Sequence, residues 1–119
     1  MSTRANIIVR DSYDELIFYR HSDGYPEGAL PLLQKFLAWV KEGRIRDCAC
    51  QASGWLILLG AKEYSVSIAD GPPDNWCCGA IEPTTAIHGD IQYLYVVDLV
   101  DEEIYIDGQN GFEYSGKFA

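Results

Sequence analysis

Between Lys62 and Lys117 the chain carries no basic residue. This gap says more than the formal net charge of −9, because it is one-sided. Residues 1–60 hold Arg4, Arg10, Arg20, Lys35, Lys41, Arg44 and Arg46 against a matching set of acids, whereas the acids beyond Lys62 go largely unanswered. Nucleic-acid affinity is built from Lys and Arg neutralising phosphate, so this imbalance argues against direct nucleic-acid binding, and against anionic lipid for the same reason. A partner protein with a basic surface would instead be attracted and steered. Acidity also serves plain solubility.

Long apolar runs are missing as well. The longest, from Trp55 to Ala61 with Gly60 included, falls far short of the ~20 residues that a membrane span needs. The start Met1-Ser2-Thr3-Arg4-Ala5-Asn6 lacks the apolar stretch of a signal peptide. A cytoplasmic chain with no membrane partner is expected, its four cysteines held as thiols rather than disulfides. Cys48-Ala49-Cys50 and Cys77-Cys78 lack the gap of a zinc knuckle, and Asp98 to Asp107 misses the spacing of a calcium loop. Gly24-Tyr25-Pro26-Glu27-Gly28 is followed by no Gly-Lys-Ser, so no phosphate-cradling glycine loop is present. Neither a metal nor a cofactor is expected.

What is present is an ordinary globular composition, 48% hydrophobic and 23% charged. The 119 residues suit one domain, large enough to bury a core without staples. Asn6–Arg10 and Glu15–Arg20 are rich in β-branched and aromatic residues, and Asp11-Ser12-Tyr13-Asp14 between them reads as a turn, giving a β-hairpin. His21 to Gly28 breaks the pattern. A helix follows, with Pro31 in its first turn, an apolar stripe of Leu30, Leu33, Leu37 and Val40 widened by Phe36, and Gly43 as its C-terminal cap. From Ala49 to about Tyr64, Ala, Leu, Gln, Lys and Glu outnumber β-branched residues, which favours a second helix over a buried strand. Asp70 to Asn75 is a loop, and Trp76 to Ile81 reads as a strand ending at Pro83. Ile91 to Leu99 is the strongest strand, with Glu103 to Asp107 as its hairpin partner. Residues 108–119 form a glycine-spaced tail that either packs on the sheet edge or frays. The order ββ-αα-βββ predicts a single α+β domain over 1–119, a mainly antiparallel sheet with two helices on one face.

Three segments carry a resemblance: Ser2-Thr3-Arg4-Ala5-Asn6-Ile7, Tyr19-Arg20-His21-Ser22-Asp23-Gly24-Tyr25-Pro26-Glu27-Gly28, and Ile87-His88-Gly89-Asp90-Ile91-Gln92-Tyr93. Over residues 1 to about 107 the chain resembles a group of small phage and prophage proteins. The resemblance brings no reaction or catalytic residues. It implies a setting, a small accessory protein made inside an infected bacterial cell, where many such proteins bind and block host machinery, including defence systems.

Candidate chemistry sits in three places. The loop Arg20, His21, Ser22, Asp23 and Tyr25 offers a cation, an imidazole, a hydroxyl, a carboxylate and a ring just before a helix N-terminus, where backbone N–H groups can hold an anion such as a nucleotide phosphate. Turn chemistry explains the same residues, with Gly24 at positive φ. A Cys–His hydrolase would use Cys48 or Cys50 near a helix start, with His88 oriented by Asp90 or Asp98. A binding surface would use the acids Asp101, Glu102 and Glu103 with Tyr93, Tyr95 and Tyr105 as anchors, tyrosine being enriched at interface hot spots. Tyr93 and Tyr95 share one strand face and equally suit a core. The leading expectation is a non-catalytic protein that occupies a partner with a basic surface, a host bacterial protein in that setting. A homodimer is compatible with the sequence.

Overall fold

A computed structural model describes residues 3–63 and 81–118. The Asp70–Asn75 loop, the Cys77-Cys78 pair, Tyr64 and most of the Trp76–Ile81 strand expectation lie outside these residues. The elements run β1 (Ala5–Arg10), β2 (Glu15–Arg20), α1 (Pro26–Lys41), α2 (Ala49–Glu63), β3 (Ile81–Thr84), β4 (Tyr93–Asp98), β5 (Glu103–Gly108) and β6 (Ser115–Phe118). The strands form one sheet in the order β3-β2-β1-β4-β5-β6. Every neighbouring pair is antiparallel except β1 and β4, which run parallel in the middle. The domain is α+β, with the helices packed on the sheet.

Strand alternation selects the covered face. Ala5, Ile7 and Val9 of β1, Tyr95 and Val97 of β4, and Ile104 and Ile106 of β5 are all buried. They meet Ala29, Leu33, Phe36 and Leu37 of α1 and Ala52 and Leu56 of α2 in one cluster. Each fully buried Leu or Phe contributes roughly 1.5–3 kcal/mol by leaving water, so this layer dominates the fold's stability. The residues of opposite parity, Ile8, Ile17, Val96 and Tyr105, stay half-buried on the open face.

Helix α1 starts at Pro26, not near Pro31, so the end of the supposed loop is its first turn. Proline suits that opening position because its missing N–H would go unpaired anyway. Pro31 therefore lies inside the helix. The buried face uses Ala29 and Leu32, while the expected Leu30 is only half-buried. At the other end, Gly43 at φ 76° donates to Val40 at 3.0 Å and Arg44 donates to Trp39 at 2.9 Å, closing the helix in a Schellman motif. Strand β3 runs through Pro83 rather than ending before it. Among the described residues it is an edge strand, a location where a proline can turn the side that lacks an N–H away from the sheet.

The tail is a sixth strand. Ser115–Phe118 pairs with Ile104–Asp107, and Tyr93 packs against Phe112 and Tyr114 at 6.0 and 6.3 Å between ring centres. Gly108 sets this return, because a Cβ there would lie 1.7 Å from the Phe112 carbonyl oxygen. Gly108→Ala is expected to push residues 109–114 outward at a cost of about 1–3 kcal/mol, as overpacking does. Amide exchange should then quicken from Ser115 to Lys117 and stay slow in β1; unchanged rates at the tail would contradict this account.

Candidate functional site

The parallel pairing of β1 and β4 sets Arg10 opposite Asp98, so both strands end at one level of the sheet. The Leu99 N–H donates to the Arg10 carbonyl at 2.9 Å, holding the two ends together. Beyond them rise two hairpin tips, residues 11–14 and 99–102. Each is built on an aspartate. Asp11 Oδ1 accepts the N–H groups of Tyr13 and Asp14, both at 2.7 Å, and Oδ2 accepts the Ala49 N–H at the start of α2, also at 2.7 Å. Asp98 Oδ1 accepts the N–H groups of Val100 and Asp101 at 2.9 and 3.0 Å, and Oδ2 takes the Arg10 Nε–H at 2.9 Å. Such Asx turns replace backbone bonds that a tight turn leaves unmade. Asp11 is thereby held below the usual carboxylate range, chiefly by the Ala49 N–H and then by those of Asp14 and Tyr13.

Side chains leave these tips toward solvent. Tyr13 is 93% exposed and is followed in the chain by the exposed acids Asp14 and Glu15, and Val100 is 58% exposed and is followed by Asp101 and Glu102; Lys41 and Arg46 stand across the cleft from them. Between the tips and the α1–α2 connection lies a cleft of about 830 Å³, lined among others by Tyr13, Arg46, Cys48, Val100 and Glu102. Asp101 and Glu102 thus stand where the sequence placed them. Glu103 and Tyr105 bond to each other on the open sheet face, and Glu103 also pairs with Lys117 at 2.6 Å, which ties β6 to β5. The other tyrosines are a correction. Tyr95 is fully buried and donates its hydroxyl to the Gly24 carbonyl at 2.6 Å, while Tyr93 is half-buried in the aromatic cluster. Both belong to the covered face; Tyr95, with no exposed surface, cannot anchor a partner, whereas Tyr93 keeps part of its ring at the surface. Burial pushes the Tyr95 hydroxyl far above its ordinary pKa.

In the Arg20–Tyr25 loop Arg20 and Gly24 are buried, His21, Ser22 and Asp23 are half-buried, and Tyr25 is 38% exposed. Arg20 is fully buried on the helix side of the sheet, between Ala5 and Ile81, and its Nε–H donates to the Ser22 carbonyl at 2.9 Å. Asp23, not Gly24, takes the positive φ, at 57°. Gly24 is needed for close approach instead, since a Cβ there would come within 2.8 Å of Ala5 Cβ and of the Thr3 carbonyl oxygen. Pro26 opens the helix without an N–H, and Glu27 stands in the first turn, so the helix start is poorly supplied with donors for an anion. His21 reaches the Tyr19 hydroxyl at 3.4 Å.

The hydrolase constellation is not assembled. The His88 ring stacks on Tyr19 at 3.9 Å between ring centres, its Nε2 meets Thr84 Oγ1 at 3.1 Å, and its backbone N–H donates to Asn6 Oδ1 at 2.8 Å. Asp90 pairs with Arg4 at 3.3 Å. Cys48 and Cys50 lie beside the Asp11–Asp14 tip, the length of β1 away, roughly 15 Å at the rise of a strand. The neighbour of Cys50 is a carboxylate, Asp14 at 3.6 Å, whose negative charge raises the thiol pKa, the opposite of what an activated nucleophile needs. Among the described residues no group of three His, Cys, Asp or Glu side chains could hold a metal ion, and no helix is long and apolar enough to cross a membrane.

Sequence reasoning passed over Tyr13, which it read as one residue of a turn. The available signal was that an aromatic at a two-stranded tip has no core to enter. It also passed over Trp55, which is 47% exposed on α2, and Trp39, which is half-buried against the core at the end of α1. Searches against family models, curated proteins and solved structures returned no match for this chain.

Proposed function

We propose that this chain is a non-catalytic binding protein whose two hairpin tips enter a basic surface on a partner. In the setting that the resemblance to phage and prophage proteins implies, the partner is a host bacterial protein, blocked by being occupied. One observation carries the reading: a fully exposed tyrosine and a largely exposed valine stand among carboxylates on tips that two buttressed aspartates hold in shape. Tyrosine supplies large contact area with few rotors to freeze, and a tip already ordered spares part of the entropy cost of binding. The surrounding acids raise the rate of encounter with a basic surface and set its orientation.

Capture from bacterial lysate on the immobilised chain, followed by binding measurements with the protein retained, tests this. Tyr13→Ala is expected to weaken the complex about 10- to 30-fold, the effect of losing a hot-spot aromatic. The Asp101→Asn, Glu102→Gln pair should lower the association rate, and raising salt from 0.05 to 0.5 M should do the same to the unaltered chain. Cys50→Ser, which keeps a small side chain beside Asp14, should leave binding unchanged. Retention of the same protein by every variant, at every salt concentration, would overturn the proposal. An activity lost on alkylation would return the Cys–His reading.

A further inference from the structure

The helices carry a second surface of opposite character. Pro31, Lys35 and Trp39 follow one another at four-residue spacing on α1, and Trp55, Leu59 and Lys62 line the facing side of α2. Between them the antiparallel seam opens into two depressions. One, of about 480 Å³, is lined by Pro31, Leu32, Lys35, Leu59 and Lys62, with Glu27 at its end. The other, of about 110 Å³, is walled by Trp39, Arg44, Ile45 and Trp55. Lys35 joins them, because its Nζ lies 5.5 Å from the centre of the Trp39 ring, and the Arg44 guanidinium lies at the same distance from that ring. Trp55 is 47% exposed and Leu58 beside it 40% exposed, a concentration of apolar surface that α1 and α2 leave unburied.

Charge names the occupant. Lys35, Arg44 and Lys62 border the seam, and Glu27 is the one carboxylate lining either depression among the described residues. In a chain of net charge −9, cations outnumber carboxylates three to one along this groove among the described residues. The groove from Pro31 to Trp39 is ~12 Å long at the helical rise, which matches two turns of a helix or four extended residues. Trp and Arg are the side chains that most often carry interface energy, and cations held over an aromatic ring keep their charge available to a carboxylate.

We infer that the α1–α2 seam docks an acidic, apolar-bearing segment of a partner protein, one apolar side chain entering between Trp39 and Trp55 while its carboxylates meet Lys35, Arg44 and Lys62. Helix-in-groove recognition uses this division of labour. The seam and the hairpin tips adjoin at the α1–α2 connection, where Ile45 lines both the tip cleft and the smaller depression, but they present different side chains, the tips carboxylates and the seam Lys35, Arg44 and Lys62. The inference does not depend on the tips.

The probe is a fluorescein-labelled 12-residue peptide with Leu and Phe on one helical face and Glu on the other, compared with the same peptide carrying Lys for Glu. Anisotropy should show the Glu peptide binding at least tenfold more tightly, with a change in tryptophan emission. Trp55→Ala and Arg44→Glu should each weaken it about tenfold or more, Trp55→Phe should retain most of the affinity, and Tyr13→Ala should leave it unchanged. Circular dichroism of each variant confirms that the change is not one of folding. Equal binding of both peptides, or indifference to Trp55→Ala and Arg44→Glu, would overturn the inference. So would tighter binding of a 12-nucleotide oligo-dT, which would make the groove a nucleic-acid site, or self-association abolished by Trp55→Ala, which would make the occupant a second copy.

Discussion

Arg20→Ala is expected to destabilise the fold by about 3–4 kcal/mol, the range of a large buried side chain cut back to alanine. At this chain length that lowers the melting temperature by roughly 12–20 °C. The reason is location. Arg20 alternates into the helix-covered face with Phe18, it is completely shielded from solvent, and its Nε–H satisfies the Ser22 carbonyl under the loop that leads into α1. Removing it leaves a cavity between Ala5 and Ile81 and strips a donor from a carbonyl that the loop turns inward. Around it the loop is pinned by backbone groups, the Gly24 N–H on the Thr3 carbonyl at 2.9 Å and the Tyr95 hydroxyl on the Gly24 carbonyl. Arg20→Met, which refills most of the volume without the donor, should recover part of the loss. Urea denaturation of the three proteins measures both effects. If Arg20→Ala keeps full stability but loses the binding of an anionic ligand, the loop is a binding site after all and this assignment is wrong.

The same arginine shows what a sequence can and cannot say here. Its segment reads plainly as a strand, because Leu16, Ile17, Phe18 and Tyr19 favour a pleated surface, and β1, β4 and β5 are legible on the same ground. Helix α2 follows from the scarcity of β-branched residues in Ala49–Glu63. The start of α1 does not, since Gly24-Tyr25-Pro26-Glu27-Gly28 has turn composition although Pro26 is a legitimate opening residue for a helix. Alternation gives two faces to a strand without saying which one the helices cover. Tyr95 and Arg20 are therefore ambiguous until the sheet is assembled, and an isolated reading offers them as surface groups. Asp101 and Glu102 were legible as a hairpin tip, whereas Glu103 already belongs to β5. Their companion tip was not, because only the parallel pairing of β1 with β4, across 88 residues of chain, brings Asp11 level with Asp98. Non-local pairing leaves no mark on a local pattern.

Asp98→Ala is the second large effect expected, a loss of about 2–3 kcal/mol, the cost of stranding hydrogen-bond donors beside a removed buried carboxylate. Burial pushes this carboxyl upward. The Asp101 N–H, the Arg10 guanidinium and the Val100 N–H together outweigh that and hold it below its ordinary value near 3.8. A carboxyl depressed in the folded state lends stability that is fully present above the unfolded pKa and disappears as pH falls through the folded one. The melting temperature of the unaltered chain should therefore be level above about pH 5 and drop below about pH 4. In Asp98→Asn that drop should be shallower, because the amide cannot ionise but still offers an oxygen to the turn. Asp11, depressed by the Ala49 N–H on the neighbouring tip, contributes to the same fall, so Asp98→Asn flattens it only in part. Thermal melts of both proteins between pH 2.5 and 7 decide the matter. Parallel curves would mean that Asp98 is as easily protonated when folded as when unfolded, and the tip would then owe its shape to something other than its carboxylate. The functional consequence follows from the same bonds. With Asp98 neutral or absent, Val100 and Asp101 lose their fixed positions, and partner binding should weaken through a faster dissociation rate, the signature of a contact surface that has to be ordered anew each time it binds.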